Sequence, residues 1–397
     1  MFTKAYIPYR AYYSTPFSKW QMTLANEHAF ELAGRTAGRW LQQKGISPAN
    51  FDYLYLGFTV HQRQGFYGAP WVAALLGAAK TPGCNVSQAC STGTTCLYNA
   101  AVGIEAGVYQ RVLTVMADRC SNSPHIVWPN PSGPGGMVIQ ENWFMDNVES
   151  DPHAKYPMIG TGENVARSMG ATKAECDELA ARRYEQYAMA LADDRAFQKR
   201  YMFPVEARLG PKKTVLLEAD EGVIPTSLEV LTKMRPVVDG GVHSFGAQTH
   251  PADANACIVV TTEQEASALS ADPAVKVRIA SYGFARAEKG YMPAAPVPAA
   301  AMALERAGIK VGDLKAVKTH NPFAVNDLYL LKELGPNPGI VNNYGSSIVY
   351  GHPQAPTAAR AVIELIEEIV DLGGGYGLFT GCAAGDTGAA LVIKVGA

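Results

Sequence analysis

The sequence predicts an α/β protein made of two similar halves with a separate section inserted between them. Three observations support this prediction: apolar strand-like runs alternate with helical segments, one stretch of the first half recurs in the second, and the middle of the chain has a different composition. At 397 residues the chain is long enough for two or three packed units.

The first half reads as helices followed by buried strands. Residues 23–44 space their apolar positions as in a helix that ends at Gly45, and a strand begins at Tyr53. A second helix from Thr92 to about Gly107 leads into the strand RVLTVMA. This alternation predicts a mostly parallel sheet.

The second half repeats part of this pattern. KGISPANFDYLYLGF, from Lys44, is similar to AGIKVGDLKAVKTH, from Ala307: in each, a helix end is followed by Gly-Ile, a short loop, Asp and a strand. We interpret this as an internal duplication.

The section between the halves is rich in Pro, Gly and Trp at 125–136 and then charged and helical around 175–199. We expect a strand at 256–261 to return the chain to the first half. The predicted division is therefore a first half of residues 1–121 plus 246–265, an inserted loop domain of residues 122–245 and a second half of residues 270–397.

Composition excludes several classes of protein. Apolar residues at 48%, charged residues at 18% and a formal net charge of -2 are typical of a globular protein, so we expect no nucleic-acid partner. Neither a signal peptide nor a membrane-length apolar segment is found, which predicts a cytoplasmic protein without membrane contact. The seven cysteines lack paired CxxC spacing, so neither a disulfide framework nor a bound metal is expected.

Cys90 is the first candidate for chemistry. It follows a strand-like run and precedes Ser91-Thr92-Gly93, small residues that allow a tight turn into a helix. Unpaired N–H groups at a helix start favour a thiolate, the nucleophilic form of cysteine. The ordinary alternative is that Cys90 packs as a small apolar side chain.

Three further reactive side chains lie at predicted strand or loop ends of the second half. His320 follows a strand, His352 lies between Gly351 and Pro353 before an amphipathic helix from Thr357, and Cys382 ends another strand. Each has an ordinary alternative, in which a histidine bonds a carbonyl or supports a turn and Cys382 fills a gap beside the sheet.

Taken together, these segments resemble the thiolase family along nearly the whole chain. QACSTGTTCLYNA is similar to the family's nucleophile segment, GSSIVYGHPQAPTAAR to its histidine motif and GCAAGDTGAALV to its second-cysteine motif. MADRCSNSP, PMIGTGENVA and the long segment DEGVIPTSLEVLTKMRPVVDGGVHSFGAQTHPADANA also match in order. The resemblance implies a five-layered α-β-α-β-α core, with the insertion as the family's loop domain.

The resemblance also implies residue roles. Cys90 corresponds to the acylated nucleophile, and His352 to its base and an oxyanion-hole donor. Cys382 corresponds to the acid/base, and His320 occupies the remaining catalytic position. The backbone N–H of Ala384 corresponds to an oxyanion donor. Contacts to coenzyme A (CoA), a co-substrate rather than a bound cofactor, are implied for Thr249, Met158 and Phe323.

Two departures from the family pattern bear on function. Most thiolases have Asn-Glu-Ala-Phe where this chain has HNPF from His320, which looks more like the His-Asp-Cys-Phe version of sterol carrier protein type thiolases. A histidine there could donate directly to an oxyanion. Ile224 replaces an arginine expected near the CoA nucleotide, and isoleucine cannot supply a guanidinium.

The implied activity is CoA-dependent cleavage of a 3-ketoacyl-CoA, or the reverse Claisen condensation, through an acyl-Cys90 intermediate. One alternative is a decarboxylating ketoacyl synthase, which has no need of a second thiol such as that of Cys382. Another is a non-catalytic acyl-CoA-binding subunit, which the missing arginine at Ile224 would favour.

Substrate and partners follow only from the resemblance and from one aromatic segment. Trp128, Trp143, Phe144 and Met145 lie near the expected acyl entrance, although they could equally form the core of the loop domain. The sequence is also similar to the thiolase subunits of benzoylsuccinyl-CoA thiolases, which implies a bulky or aromatic acyl group. Such relatives imply a homodimer or higher homo-oligomer and a small partner subunit that combines a zinc ribbon with an OB-fold.

Overall fold

The computed structural model describes residues 1–210 and 212–396. Its strands are β1 (Tyr6–Pro8), β2 (Tyr12–Ser14), β3 (Ser18–Lys19), β4 (Tyr53–Gly57), β5 (Gly83–Val86), β6 (Arg111–Arg119), β7 (His125–Pro129), β8 (Val138–Asn142), β9 (Val205–Gly210), β10 (Lys213–Leu217), β11 (Ala252–Thr261), β12 (Lys276–Arg286), β13 (Leu314–His320), β14 (Gly375–Ala383) and β15 (Thr387–Gly396). Its helices are α1 (Ala29–Lys44), α2 (Gly68–Leu75), α3 (Thr92–Glu105), α4 (Met145–Glu149), α5 (Met158–Met169), α6 (Lys173–Ala190), α7 (Ala192–Arg195), α8 (Leu228–Lys233), α9 (Glu263–Leu269), α10 (Pro296–Ala307), α11 (Ala324–Glu333), α12 (Ser347–Tyr350) and α13 (Ala355–Asp371).

The main sheet is mixed rather than mostly parallel. Its strand order is β13-β14-β15-β12-β1-β11-β6-β4-β5, with β2 and β3 also paired to β11. Among the described strands, only β4 with β5, β4 with β6 and β13 with β14 are parallel pairs. The prediction of a mostly parallel sheet was wrong because β11 and β15 each run opposite to a neighbouring strand. Helix-to-strand alternation reveals crossover units but says nothing about such return strands.

The duplication is visible in the strand pairing. In the first half, β4 is parallel to β6, and β6 is antiparallel to β11. In the second half, β13 is parallel to β14, and β14 is antiparallel to β15. The two segments recognised as similar in the sequence therefore end in β4 and β13, which occupy equivalent places.

Layers of helix and sheet alternate through the molecule. Helices α3 and α13 pack between the strands of the two halves, α1 and α2 cover the outer face of the first half, and α10 covers that of the second. The predicted fold class, with its five-layered α-β-α-β-α core, is confirmed. The helix predicted as amphipathic is α13, which is instead buried from Ala355 to Ile369 because it lies in the central layer.

Residues 122–245 form two hairpins, β7-β8 and β9-β10, and the helices α4 to α8. A buried ion pair joins this section to the central layer, since the Arg360 guanidinium lies 2.7 Å from the Asp220 carboxylate. The three domain boundaries given by the sequence stay a prediction. Over the described residues, every helix is too short or too polar to span a bilayer.

Candidate active site

Cys90 lies in a tight turn between β5 and α3. Ala89, just before it, has a φ of 44°, and the Thr92 hydroxyl closes the turn by donating to the Ala89 carbonyl at 2.7 Å. Left-handed backbone is unfavourable for a residue with a side chain, and such strain is concentrated at functional sites. The turn presents the sulfur of the partly exposed Cys90 at the beginning of the helix.

The resting Cys90 side chain is a neutral thiol. Burial among protein atoms raises its pKa to about 12, while the backbone N–H groups of Ala384 and Cys90 act in the opposite direction. The sequence-based expectation that the helix start would favour a thiolate was therefore wrong, because desolvation outweighs those N–H groups. Cys90 consequently needs a base before it can act as a nucleophile.

Both histidines predicted as site residues lie beside this thiol. Their rings stack with centroids 4.0 Å apart. The Cys90 sulfur and one ring nitrogen from each of His320 and His352 lie within 4.8 Å of one another. Among the described residues this is the one His, Cys, Asp and Glu cluster that could hold a metal ion, and it offers fewer donors than the four of a structural zinc site.

Two hydroxyl groups orient the histidines. His320 Nδ1 lies 3.0 Å from Ser347 Oγ, and His352 Nδ1 lies 2.6 Å from Thr357 Oγ1. In the described part of the chain, the buried Nε2 atoms of both rings lack a hydrogen-bond partner. These nitrogens are therefore free to exchange a proton with Cys90 or to donate to a substrate oxygen.

Neither ring is charged in the resting site. Burial lowers the pKa of His320 to about 3. Burial, and then the neighbouring His320, lower the pKa of His352 well below its ordinary value. At neutral pH the site thus holds a thiol and two neutral imidazoles, a set in which a proton can pass from sulfur to nitrogen.

Gln354 also reaches the Cys90 sulfur, a contact that the sequence did not predict. Its side-chain Oε1 lies 3.4 Å from the Cys90 sulfur. Its backbone has φ 56° and ψ -113°, a region that glycine tolerates much better than glutamine. The strained backbone and the contact to the reactive sulfur coincide in the loop that follows His352.

Cys382 brings a second thiol to the same place from β14. His320 pairs with Gly381 in the parallel β13-β14 register, which sets the end of β13 beside Cys382. Burial raises the pKa of Cys382 well above its ordinary value, and the charge of a Cys90 thiolate would raise it further. The Asn326 side chain opposes both effects by donating from Nδ2 to the sulfur at 3.3 Å.

The residues assigned to CoA by resemblance lie near this centre, and the position of the missing arginine is exposed. Phe323 and Met158 pack in the same apolar cluster as Cys382. Thr249 lies next to the HNPF loop, and its hydroxyl donates to the Ser347 carbonyl at 2.6 Å. Ile224 instead lies on the surface with 67% of its area exposed.

A buried carboxylate supports the site from the first half. Asp118, near the end of β6, accepts hydrogen bonds from the backbone of Thr59, Val60 and Ala355. Ala355 is the first residue of α13, so Asp118 holds the helix start that follows His352 and Gln354. Burial raises the pKa of Asp118 to about 7 despite those bonds.

Family models match almost the whole chain. The model described as "Thiolase, N-terminal domain" matches residues 11–264, and the one described as "Thiolase, C-terminal domain" matches residues 273–395. Beta-ketothiolase BktB of Cupriavidus necator is 30% identical over 332 residues, covering 81% of this chain and 82% of that protein. The 3-ketoacyl-CoA thiolase of Bacillus subtilis is 29% identical and covers 94% of this chain and 95% of its own length.

Solved structures agree over the full length. The crystal structure of human mitochondrial 3-ketoacyl-CoA thiolase superposes with a TM-score of 0.90 at 25% identity, covering 99% of both chains. The same human enzyme in complex with CoA gives a TM-score of 0.89 at 25% identity, covering 98% of both chains.

Proposed function

This chain belongs to the thiolase family, and we propose that it cleaves a 3-ketoacyl-CoA with CoA, or runs the reverse condensation, through an acyl-Cys90 intermediate. It is an acyltransferase with CoA as co-substrate. One observation carries the residue roles: the Cys90 sulfur lies within 4.8 Å of a ring nitrogen of both His320 and His352. Cys382 supplies the second thiol that the reaction needs.

The first half-reaction forms the acyl-enzyme. A neutral imidazole, that of His352, takes the Cys90 proton, and the thiolate attacks the 3-keto carbon. The Nε2 groups of His320 and His352 stabilise the oxyanion that develops on the keto oxygen. The C2–C3 bond then breaks, the acyl group stays on Cys90, and the enolate of the departing acyl-CoA takes a proton from Cys382.

The second half-reaction releases the acyl group. Cys382, now a thiolate, takes the proton of a new CoA thiol, and the CoA sulfur attacks the Cys90 thioester. The backbone N–H groups of Cys90 and Ala384, which both favour negative charge at this position, stabilise the second oxyanion. Cys90 leaves as a thiolate and recovers its proton from His352.

CoA lies, in this proposal, along Met158, Thr249 and Phe323. Phe323 and Met158 provide apolar contact beside Cys382, where the reactive end of the pantetheine arm has to arrive. Because the Thr249 hydroxyl already donates to the Ser347 carbonyl, it can only accept a hydrogen bond from CoA.

The two alternatives given by the sequence have less support. A decarboxylating synthase would leave Cys382 and its partner Asn326 without a chemical role. A non-catalytic CoA-binding subunit would have no use for two oriented imidazoles against a thiol, whose Nε2 atoms have no partner among the described residues. Membership of the thiolase family also favours a catalytic thiolase over both alternatives.

For the substrate, we propose a bulky or aromatic acyl group, of the kind carried by benzoylsuccinyl-CoA. Phe144 is buried against Trp20, with ring centroids 5.9 Å apart, and shares its cluster with Cys120. The Cys120 sulfur lies 3.8 Å from the His352 carbonyl, so this aromatic cluster adjoins the catalytic loop. A kcat/KM for acetoacetyl-CoA above that for aromatic 3-ketoacyl-CoA substrates would contradict the proposal.

A small subunit with a zinc ribbon and an OB-fold is the proposed partner at the CoA nucleotide. Ile224 is 67% exposed, and the nearby Leu228 and Val230 are 41% and 46% exposed. Apolar side chains on a surface that has to bind a nucleotide suggest that another chain covers them. Adding such a subunit should lower KM for CoA, whereas a lone chain with micromolar KM would contradict the proposal.

We also propose that the protein is cytoplasmic. We further propose that it forms a homodimer through the edge of the main sheet. β5 ends the strand order, and an edge strand exposes unpaired backbone groups that favour pairing with another chain. The preceding loop exposes 88% of Phe66 and 69% of Tyr67. Light scattering coupled to size exclusion should give twice the monomer mass, and a monomer at micromolar concentration would contradict this assembly.

The activity itself has a direct test. The protein is incubated with a 3-ketoacyl-CoA and CoA, and both the thioester products and the intact protein mass are recorded. The proposal expects a shortened acyl-CoA, acetyl-CoA and an acyl adduct. Absence of both CoA-dependent cleavage and an adduct would overturn it.

A further inference from the structure

We propose that Asn326 is a positioning residue for the second thiol, and that its side-chain amide lowers the proton affinity of Cys382. The inference rests on the proposed function, in which Cys382 moves the protons of both half-reactions. Neither the sequence motifs nor the family resemblance pointed to Asn326.

The geometry fixes which end of the amide faces the sulfur. Asn326 lies in the first turn of α11, and its Oδ1 accepts the backbone N–H of Phe323 at 3.1 Å. The amide therefore has to present Nδ2 to Cys382, and it does so at 3.3 Å. Both side chains are buried, with 3% of Asn326 and none of Cys382 exposed.

Nothing else among the described side chains hydrogen-bonds the Cys382 sulfur. Cys382 belongs to the apolar cluster that includes Val165, Met292 and Val325, and the titratable groups that act on it are Cys90 and Asp327, both of which raise its pKa. In such a site a thiolate is costly, and one N–H donor has a large effect because water is excluded. The N–H group stabilises the thiolate more than the thiol, so it makes the proton easier to remove.

A second set of contacts holds the turn that carries Asn326. The Val325 N–H donates to His243 Nε2 at 3.4 Å, and His243 Nδ1 lies 2.9 Å from Glu163 Oε1. The carboxylate accepts the Nδ1 hydrogen, which leaves Nε2 without a hydrogen and able to accept. Glu163 and His243 thus fix the first turn of α11 relative to Cys382.

The proton transfer that Asn326 would assist can be isolated from the acyl transfer. The Cys382 thiolate takes a C2 proton from bound acetyl-CoA, which leaves a neutral thiol and an enolate. Return of a deuteron from solvent-exchanged Cys382 labels the C2 position. Loss of the Asn326 donor reduces the thiolate fraction at neutral pH and hence slows this exchange.

The test measures exchange of acetyl-CoA C2 hydrogens in deuterium oxide over a range of pH. Asn326→Leu should slow exchange about tenfold at each pH tested, because the pKa of Cys382 lies far above that range and the thiolate fraction rises in parallel with pH in both proteins. Asn326→Asp, which has the same shape but replaces the donor with an acceptor, should slow exchange further. Acylation of Cys90 by an acetyl thiophenol thioester, whose leaving group needs no proton from Cys382, should stay within about threefold of wild type in both variants when measured by intact mass.

Two results would overturn the inference while the proposed function stands. One is exchange in Asn326→Asp within about twofold of wild type, since this variant keeps the shape and loses only the donor, and the other is a parallel loss of Cys90 acylation, which indicates a purely structural role. Wild-type protein that shows neither acylation nor exchange would instead overturn the proposed function, and the inference with it.

Discussion

The two reactive cysteines share an environment that disfavours the thiolate, yet their partners differ. Around Cys90 lie two imidazole rings, two backbone N–H groups and the Gln354 amide. Among the described residues, Cys382 has a single side-chain donor, Asn326, in an apolar cluster. Cys90 is partly exposed, whereas Cys382 is fully buried.

This difference agrees with the two roles proposed for these thiols. A nucleophile needs access to the substrate carbon, a base for its proton and donors for the oxyanion, all of which surround Cys90. A group that only transfers protons needs a suitable proton affinity and a defined position, and a single hydrogen bond in a buried site provides both. In the proposed mechanism, different surroundings thus adapt the same residue type to two tasks.

The largest effect is expected from removal of the Cys90 thiol. Cys90→Ala should lower the rate of thiolysis at least about ten-thousand-fold, because the variant has no thiol that can form the acyl-enzyme. Steady-state assays with intact mass spectrometry would also show no acyl adduct. An adduct that persists in this variant would mean that another residue is the nucleophile.

Cys382→Ala should separate the two half-reactions. Turnover with CoA is expected to fall about a hundred- to ten-thousand-fold, because CoA loses its base and the enolate its acid. Cys90 should still be acylated by an acyl thiophenol thioester, whose leaving group needs no proton, and a pre-steady-state mass measurement would detect the adduct. If acylation falls as far as turnover, the two thiols do not have separate roles.

Smaller effects are expected from the hydroxyl groups that orient the histidines. Ser347→Ala and Thr357→Val should each lower kcat/KM about tenfold, since an imidazole Nδ1 loses its partner. Ser346→Ala is a matched control, because among the described residues the Ser346 hydroxyl has no partner. Equal losses of kcat/KM in all three variants would show that the orienting hydrogen bonds do not contribute to activity.

The smallest change is a pH dependence. Because burial raises the pKa of Cys90 to about 12, the thiolate fraction of the free enzyme should keep rising with pH. Alkylation of Cys90 by iodoacetamide, followed by peptide mapping, should accelerate about tenfold per unit between pH 7 and pH 9. A plateau below pH 8 would instead indicate that the helix start stabilises the thiolate.

Much of the architecture could be predicted because it depends on local patterns. The helix that ends at Gly45, the strand from Tyr53 and the strand end at His320 all lie where the sequence placed them. The direction of β11 and β15 could not be predicted, because return strands have the same apolar pattern as parallel ones. The burial of α13 on all sides was missed for a related reason, since its second covering layer comes from the other half.

In the site, too, some features could be predicted from the sequence and others could not. The structure brings Cys90, His320, His352 and Cys382 together, as motif resemblance led us to expect. The partners that orient or tune them were missed, although Ser347 and Thr357 each lie five residues from His352. Two adjacent serines precede His352, and only the fold determines that Ser347, rather than Ser346, contacts a histidine.

The most direct test of the account locates the acyl group. Wild-type protein is loaded with a 3-ketoacyl-CoA and Cys382→Ala with an acyl thiophenol thioester, whose leaving group needs no proton. Both are then quenched, digested and mapped by mass spectrometry, with and without a CoA chase. The account predicts a thioester on Cys90 in both proteins, which CoA removes rapidly from wild type and slowly from the variant. A thioester on Cys382 of the wild-type protein, or equal rates of removal by CoA, would contradict it.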